Sequence, residues 1–444
     1  MEALLEQYNP HWSQPYEFNL IPRAKYSGQV MDLAARKEIT VLKGIRRSGK
    51  SSLLKLVINA LIKKGVPAQN ILFMNLEDYR FGSEKSVATL DQIYQAYLQK
   101  KTPRGKIYIL LDEIQEIPDF EKWLRTYYEQ QESLKFMITG SSSSLFSKEL
   151  ATLLTGRQIP VEVFPFSFRE FLAYKAPALL EAIDSKPLDS LYLSKTFGEV
   201  EPLLKQYLDQ GGFPEMVKNE QPEGNILALQ QYIADIILRD IAQRYNIRKI
   251  EVLQKLALYL IYNMGNFINV SHIAEQVGSN RTTVLELIAY LKEVYMIFTT
   301  GSFSFSLNEQ LTTTRARRVY CIDNGFFAAI KTNSEKDFPK KMKNAVFQQL
   351  RFHWDRELFY WREKVEIDFV FQDGFPVGLT ADEGDMDREV FQLFHYLHQH
   401  NLPLGLLISW KKLQILEENE RKVFILPLWL FLAKSQEEIL EYGG

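Results

Sequence analysis

Short, continuous apolar runs alternate with amphipathic stretches along the first third of the chain. Runs of this length, rich in β-branched residues, predict strands buried on both faces of a sheet; they occupy residues 39–42, 70–76, 107–113, 135–139 and 159–164. Between them, apolar residues recur with helical spacing, as at residues 53–61, 88–100 and 120–131. Alternation of strands with helices predicts an α/β domain built on a parallel sheet.

The pattern changes after residue 164, where helical segments replace the alternation as far as residue 249. Residues 250–335 then have the order of a winged helix: an apolar helix, a short helix at 267–277, a Gly278-Ser279 turn and a long helix capped by Asn280. Two β-like stretches follow, at residues 296–307 and after Thr314. The long helix has the position of a recognition helix.

From about Lys341 onward the chain predicts a further mixed domain. A helix (MKNAVFQQLRFHW) precedes strands LFYWR, VEIDFVF and FPVGLTA, then a helix at residues 388–399, strand LPLGLLISW and a final strand and helix, KVFILPLWLFLAK. We therefore expect four domains, at residues 1–164, 165–249, 250–335 and 336–444.

Composition narrows the class of protein only moderately. The chain has 444 residues, of which 46% are hydrophobic and 24% charged. Its formal net charge is -2, so there is no overall electrostatic attraction to nucleic acid or an anionic membrane. Cys321 is the only cysteine, which excludes an internal disulfide and a thiolate metal cage. No signal peptide is recognisable, and the longest apolar run, residues 424–433, is shorter than the ~20 residues of a membrane span. These features predict a cytoplasmic protein without membrane contact.

The first predicted strand leads directly into a glycine-rich loop and a helix. Its letters, GIRRSGKS, match G-x-x-x-x-G-K-[ST], the Walker A or P-loop pattern, whose backbone N–H groups surround a phosphate. The predicted nucleotide-binding residues are Gly44, Ile45, Arg46, Arg47, Ser48, Gly49, Lys50, Ser51 and Ser52. Lys50 would reach the β- and γ-phosphates of ATP, and the Ser51 hydroxyl would be a ligand of Mg²⁺. The alternative for the loop alone is a chance glycine-rich turn.

A second motif supports the first. The apolar run IYILL ends in Asp112 and Glu113, and acids at the carboxyl end of a parallel strand lie where ligands bind in open α/β sheets. Asp112 would hold Mg²⁺, and Glu113 would orient and polarise the attacking water. Arg23 and Tyr26, close before the first strand, would either contact the nucleotide or pack locally.

Two further regions of the sequence are candidates for contacts with the γ-phosphate. Thr139 ends the fourth strand, Ser141 and Ser142 follow it, and Ser141 is the preferred γ-phosphate sensor; the serines would also suit the cap of a following helix. Arg157 ends that helix, predicted to be near the catalytic edge, and would stabilise transition-state charge in cis or from a neighbouring subunit. An arginine is also favourable there against the helix dipole, so both interpretations stay open.

Taken together, GIRRSGKSSLL, ILLDEIQ, ITGSSSSL and LLTGR resemble a prokaryotic family of predicted ATPases in the AAA-related branch of P-loop proteins, near the signal-transducing ATPases with numerous domains. The resemblance extends over most of the chain. It implies a parallel sheet with helices on both faces and a central P-loop strand, a helical lid, a winged helix and a C-terminal restriction-endonuclease-like domain. It also implies that Gly212-Phe213-Pro214 packs its proline, Pro214, against the nucleotide base; the alternative is a helix-ending turn.

The predicted winged helix suggests that the protein contacts DNA. Candidate contacts are Asn280, Arg281, Thr282 and Thr283 on the recognition helix, with Arg315, Arg317 and Arg318 near the wing. The alternative is a packing module, which Glu286 and Glu293 on the same helix favour.

The nuclease-like end lacks part of the site that its resemblance implies. Asp368 fits the first acid, but Gly378-Leu379-Thr380 replaces Glu-x-Lys, and Lys343 or Asn344 replaces the helix glutamate. We expect a degenerate domain without nuclease activity, used for binding or scaffolding.

The sequence thus predicts an Mg²⁺-dependent ATPase whose hydrolysis moves the lid and C-terminal domains. The alternative is a nucleotide-gated DNA- or protein-binding switch with little basal hydrolysis. A homo-oligomer is expected if Arg157 acts between subunits.

Overall fold

The computed structural model describes residues 1–13, 15–82, 85–140, 154–185, 190–219, 221–312, 315–330 and 335–443. The chain forms two compact units, Met1–Phe164 and Pro165–Gly444. No helix within the described ranges is long and apolar enough to cross a membrane.

The first unit contains a parallel sheet. Its strands are β1 (Ile39–Lys43), β2 (Ile71–Asn75), β3 (Ile107–Asp112), β4 (Leu134–Thr139) and β5 (Gln158–Glu162). They lie in the order β2-β3-β4-β1-β5, so β4 separates the P-loop strand from the Walker B strand. β1 is not central: it lies one strand in from the described edge, between β4 and β5.

Helices cover both faces of this sheet. They are α1 (Glu2–Tyr8), α2 (Ala24–Ala35), α3 (Lys50–Lys63), α4 (Val87–Lys101) and α5 (Phe120–Gln130), with short 3₁₀ turns at Pro10–Trp12, Ala68–Asn70, Tyr79–Phe81 and Ile114–Glu116. Strand residues alternate between the two cores: Val41 packs with Tyr94 and Trp123, whereas Leu42 packs with Tyr26 and Val57. This two-sided burial explains why each strand is a continuous apolar run.

The second unit is mixed. Its helices are α6 (Phe168–Lys175), α7 (Pro177–Ser185), α8 (Ser190–Gln210), α9 (Pro214–Lys218), α10 (Pro222–Asp235), α11 (Ile250–Tyr262), α12 (Val270–Val277), α13 (Arg281–Glu293), α14 (Leu307–Thr312), α15 (Asn324–Ile330), α16 (Phe338–Gln348), α17 (Met386–His400), α18 (Leu428–Ala433) and α19 (Gln436–Gly443). π-helical segments continue two of them, at Ile236–Gln243 and Gln349–His353, and 3₁₀ turns lie at Glu335–Asp337 and Glu383–Asp385.

One sheet runs through this unit. Its strands are β6 (Phe267–Ile268), β7 (Ile297–Ser302), β8 (Arg317–Cys321), β9 (Leu358–Arg362), β10 (Glu366–Phe371), β11 (Pro376–Leu379), β12 (Leu404–Ser409), β13 (Gln414–Glu418) and β14 (Arg421–Pro427). The order is β13-β14-β12-β11-β10-β9-β7-β8-β6. β7 pairs in parallel with β9 at Gly301 and Ser302, so the sheet is continuous across the predicted domain boundary at residue 335.

Candidate nucleotide site

The glycine-rich loop joins β1 to α3. Gly49, with φ 100° and ψ 20°, adopts the left-handed conformation immediately before α3, which a residue with a side chain rarely adopts. The N–H groups of the first helical turn, which contains Lys50, Ser51 and Ser52, have no carbonyl partners within their own helix. With the positive end of the helix dipole, they make this terminus suitable for a phosphate.

Gly44 is required for close packing at the start of the loop. Its φ is 154°, and a Cβ added here would lie 2.1 Å from the carbonyl oxygen of Val163. The Val163 amide in turn donates to the Lys43 carbonyl at 2.7 Å. The strand after β5 therefore supports the loop from the side, and only glycine leaves room for it.

Lys50 and Ser48 are enclosed within the loop. The Lys50 ammonium, 4% exposed, donates to the carbonyl oxygens of Gly44 and Ile45 at 3.1 and 3.0 Å. The Ser48 hydroxyl is buried and has no hydrogen-bond partner in the described part of the chain. A buried hydroxyl without a partner is costly, and it fits a loop whose polar groups serve a ligand.

Arg23 supports the loop from behind. Its guanidinium donates to the Ser48 carbonyl at 3.0 Å and to the Phe164 carbonyl at 2.9 Å, and it lies 4.4 Å from the Tyr26 ring centroid. Tyr26 accepts a hydrogen bond from the Phe164 amide. Of the two expectations for these residues, the described contacts are those of local packing, and Arg23 holds the Ser48 carbonyl of the loop.

The two predicted metal ligands lie side by side. Ser51 Oγ donates to Asp112 Oδ1 at 3.0 Å, and Thr139 Oγ1 donates to the same carboxylate oxygen. Asp112 is 1% exposed, and burial raises its pKa, partly opposed by the hydrogen bond from Thr139. A bound cation would offset this burial cost, and oxygen donors are the ligands that Mg²⁺ prefers. Ser51 and Asp112 therefore fit Mg²⁺.

Glu113 occupies an unusual backbone conformation. Its φ is 54° and its ψ is 51°, a left-handed geometry that costs free energy for a residue with a side chain and often occurs at functional sites. The Glu113 amide donates to Thr139 Oγ1 at 3.0 Å, which fixes this turn to β4. Its carboxylate accepts a hydrogen bond from the Gln115 side-chain amide.

Arg46 and Arg47 complete the predicted loop. Arg47 has a positive φ of 67°, and Arg46 Nη1 lies 3.9 Å from Glu77 Oε1, beyond the end of β2.

Arg157 is not at this edge of the sheet. Its carbonyl accepts from the Ile39 amide at 2.8 Å, and the next residue, Gln158, pairs with Ile39. Because β1 and β5 are parallel, Arg157 lies where the strands begin, whereas the phosphate loop follows the end of β1. The prediction that Arg157 lies near the catalytic edge is therefore wrong, and its guanidinium pairs with Glu129 at 3.0 Å.

Two other predicted contacts are not tested by this geometry. Ser141 and Ser142 lie outside the described residues, whereas Thr139, the third sensor candidate, contacts both Asp112 and Glu113. Pro214 belongs to the second unit, where it begins α9, and its contact with a base stays a prediction.

The predicted DNA-contacting residues fall into two groups. Asn280 Oδ1 accepts from the Thr283 amide at 2.9 Å and so caps α13, while Arg281, Thr282, Arg315 and Arg317 are exposed or partly exposed. Arg318 is only 2% exposed, and its guanidinium pairs with Asp368 at 2.9 Å and with Glu366. A contact between Arg318 and DNA is excluded by this burial.

Asp368 lines a cavity of about 430 Å³ in the second unit. Burial alone would raise its pKa, but Lys343 at 2.7 Å and Arg318 together lower it. Asn344 is fully buried and bonds the backbone of Cys321. No group of three or more His, Cys, Asp or Glu side chains suited to a metal occurs among the residues that the structure describes. Lys343, which stands where the resemblance implies a helix glutamate, thus pairs with Asp368.

Sequence reasoning missed Gln115 as part of the site. A signal was available, because Gln115 lies two residues after Glu113, whose carboxylate it contacts.

The parallel sheet and the loop define the first unit as a P-loop NTPase fold. Residues 36–172 match a family model described as an AAA domain, and residues 201–337 match one described as a domain of unknown function.

Among curated proteins, an uncharacterized protein of Haemophilus influenzae is 28% identical over 409 residues, which are 89% of this chain and 93% of that protein. An uncharacterized protein of Methanocaldococcus jannaschii is 26% identical over 412 residues, 88% of this chain and 87% of the relative. Among solved structures, a Walker-type ATPase of Pyrococcus abyssi has a TM-score of 0.46 and 16% identity, covering 72% of this chain and 98% of that one. The Aeropyrum pernix ORC1 protein, solved in complex with DNA, has a TM-score of 0.30 and 13% identity, covering 73% and 96%.

Proposed function

We propose that the first unit binds ATP with Mg²⁺ and hydrolyses its terminal phosphoanhydride bond. The observation that carries this proposal is the meeting of three segments at the carboxyl ends of parallel strands: Ser51 after β1, Asp112 and Glu113 at β3, and Thr139 at β4. Ligands bind at this edge of open α/β sheets. The match of residues 36–172 to an AAA domain supports the same conclusion.

The phosphate loop positions the nucleotide. First-turn N–H groups of α3 and the Lys50 ammonium donate to β- and γ-phosphate oxygens, where negative charge is concentrated. Arg23 donates to the Ser48 carbonyl at 3.0 Å and so keeps this oxygen away from the negative charge of the phosphates. Ser51 and Asp112 would hold Mg²⁺, which when bound neutralises phosphate charge.

Glu113 acts on the attacking water. Its carboxylate accepts a hydrogen bond from the water and orients it toward the γ-phosphorus. Thr139 positions both acids, because its hydroxyl donates to Asp112 and accepts from the Glu113 amide. Hydrolysis then changes the conformation of the second unit, which contains Pro214 and the residues predicted to form the winged helix.

Arg157 contributes to hydrolysis only in a homo-oligomer. It lies at the edge of the sheet opposite its own phosphate loop, so a catalytic role requires the loop of a neighbouring copy.

A second function, a nucleotide-gated switch with little basal hydrolysis, is favoured by one contact. The Gln115 amide binds the Glu113 carboxylate, so the group that would polarise water already has a partner. In this case a DNA or protein partner moves Gln115 away and raises the rate.

A steady-state ATPase assay tests both functions. Wild type, Lys50→Ala and Gln115→Ala are compared with and without duplex DNA, across protein concentrations. The ATPase proposal expects Mg²⁺-dependent turnover that Lys50→Ala abolishes; a rate unchanged in Lys50→Ala would overturn it. The switch expects Gln115→Ala to raise the basal rate, whereas an equal or lower rate rejects it. A specific activity that rises with concentration supports a shared site.

A further inference from the structure

Two cavities join on the surface of the second unit. Their volumes are about 630 and 600 Å³, and both are lined by Lys292, Thr299, Arg315 and Arg317. Because they share these residues, the two cavities adjoin, and we call them together the basic groove. It lies within the second unit alone.

The groove exists because two strands diverge. β7 pairs with β8 over Ile297–Thr300, but it pairs with β9 only at Gly301 and Ser302. The earlier part of β7 therefore leaves one side without a strand neighbour, and one cavity lies there, against Glu357 and Leu358. Side chains from α13 and β8 line the other part.

The charge along the groove is strongly one-sided. Its basic residues are Arg281, Lys292, Arg315, Arg317, Arg351 and Arg356. Its acidic residues are Asp355 and Glu357, and Asp355 is paired with Arg351 at 3.6 Å. The whole chain, by contrast, has a net charge of -2. Burial and the charge of Arg317 lower the pKa of Lys292, so the cations are close enough to repel one another. An anionic ligand would relieve this repulsion.

Neutral groups in the groove suit the same ligand. The Thr299 hydroxyl is buried and, within the described ranges, has no hydrogen-bond partner, and a phosphate oxygen would accept from it. Arg315 donates to Ser302 Oγ at 3.2 Å, and this hydrogen bond holds its guanidinium in the groove. An apolar wall of Ile268, Leu285 and Ile288, with Leu285 47% exposed, offers a surface for sugars and base faces.

We propose that the basic groove binds the sugar–phosphate backbone of a nucleic acid. The inference deepens the DNA contact proposed above and moves it from the start of α13 to the space between α13, β7, β8 and the Gln349–His353 segment. The residues proposed to contact nucleic acid now include Lys292, Arg351 and Arg356. Arg318 is no longer among them, because its guanidinium is paired with Asp368 and Glu366. Backbone contacts of this kind are independent of base sequence.

Fluorescence anisotropy of the full chain, without ATP, tests the groove. The probes are labelled duplex DNA, single-stranded DNA and RNA, and the variants are Lys292→Ala and Arg317→Ala. Each variant is expected to weaken binding of all sequences alike and to reduce the slope of log affinity against log salt by about 0.9 for a lost duplex phosphate contact. Arg248→Ala, an exposed arginine that does not line the groove, is the matched control and should bind like wild type.

Several outcomes would overturn the proposal that the basic groove binds nucleic acid. They are no binding of any probe by wild type at low salt, equal losses in the Arg248→Ala control, or displacement of the probe by polyglutamate as readily as by unlabelled DNA. The last result would indicate an acidic protein partner. Arg317→Lys, which keeps the charge, should restore most binding if the loss is electrostatic and not a folding defect. Lys50→Ala is measured in parallel: retained nucleic-acid binding without ATPase activity separates this inference from the nucleotide site.

Discussion

Ser51 and Asp112 are 61 residues apart in sequence, yet the serine hydroxyl donates to Asp112 Oδ1 at 3.0 Å. This contact joins the first turn of α3 to the end of β3, and it brings together the two oxygens that we assign to Mg²⁺. The same carboxylate oxygen accepts from Thr139, so helix α3 and strands β3 and β4 contribute to one small polar cluster.

Replacing Asp112 with asparagine should uncouple Mg²⁺ from nucleotide binding. The variant loses the negative charge but keeps the size of the side chain, so ATP binding without metal persists while the gain in affinity on adding Mg²⁺ is lost. Titration of a fluorescent ATP analogue with and without Mg²⁺ measures this difference. Asp119→Asn, at an exposed aspartate after β3, is the control; a retained Mg²⁺ effect in Asp112→Asn would contradict the assignment.

Glu113→Gln should separate binding from turnover. The amide keeps the size of the side chain but cannot accept a proton from water, so turnover should fall by about 10²–10⁴-fold with little change in nucleotide affinity. Steady-state rates and equilibrium binding measure the two quantities. Glu116→Gln, in the same short turn, should keep the wild-type rate, and an unchanged rate in Glu113→Gln would remove Glu113 from the mechanism.

Thr139→Val should weaken both the fold and the site. The valine has nearly the same shape, but the Glu113 amide loses its acceptor and Asp112 loses a donor. Leaving buried polar groups unsatisfied costs about 1–3 kcal/mol each, so we expect a lower unfolding midpoint and a lower rate. Thr139→Ser, which keeps the hydroxyl, should retain both. Equal values for the valine and serine variants would show that the hydroxyl has no such role.

The sequence predicted the first unit well because its signals are local. A strand, a glycine loop and a helix follow one another directly at residues 38–54, and strand β3 ends in its two acids. The choice among Thr139, Ser141 and Ser142 was not local, since all three hydroxyls lie at the end of one strand or just after it. Only the pairing of β4 with β3 identifies Thr139 as the residue beside Asp112.

The errors have physical causes of the same kind. Arg157 directly precedes a parallel strand, which places it at the edge where strands begin, whereas the prediction rested on a helix expected to end at this residue. Arg318 was predicted on the surface because its partner, Asp368, is 50 residues away in sequence. The pairing of β7 with β9 is equally distant, and no periodicity in either strand indicates it.

Gly44→Ala should destabilise the first unit and impair nucleotide binding. Its Cβ would lie 2.1 Å from the Val163 carbonyl oxygen, and neither backbone segment can move without disturbing β1 or the loop. We expect a loss above about 1 kcal/mol, the usual cost of alanine where φ is positive. Thermal unfolding and ATP titration measure both effects.

Gly28→Ala is the matched control for that change. This glycine lies inside α2, nothing is within 4 Å of its added Cβ, and alanine should stabilise the helix by about 0.5–1 kcal/mol. Similar losses in the two variants would show that the close approach to Val163 is unimportant.

Asp323 should make the stability of the second unit depend on pH. Its carboxylate is fully buried and accepts from the amides of Gly212 and Gly325 at 2.7 and 2.8 Å; burial raises its pKa to about 7 despite these bonds. Its charge acts on two further buried titratable groups, Tyr207 and Cys321.

Because the unfolded carboxyl ionises near pH 4, the folded state binds the extra proton between about pH 4 and 7. The contribution of Asp323 to the free energy of unfolding is therefore greatest at low pH and falls as pH rises, by at most about 1.4 kcal/mol per pH unit. Asp323→Asn removes this dependence on pH. The asparagine side chain has only one oxygen, so one of the two backbone N–H groups also loses its acceptor. Denaturant unfolding of both proteins across this range should show the wild-type free energy of unfolding falling relative to that of the variant as pH rises; parallel curves would mean that the pKa of Asp323 is not raised.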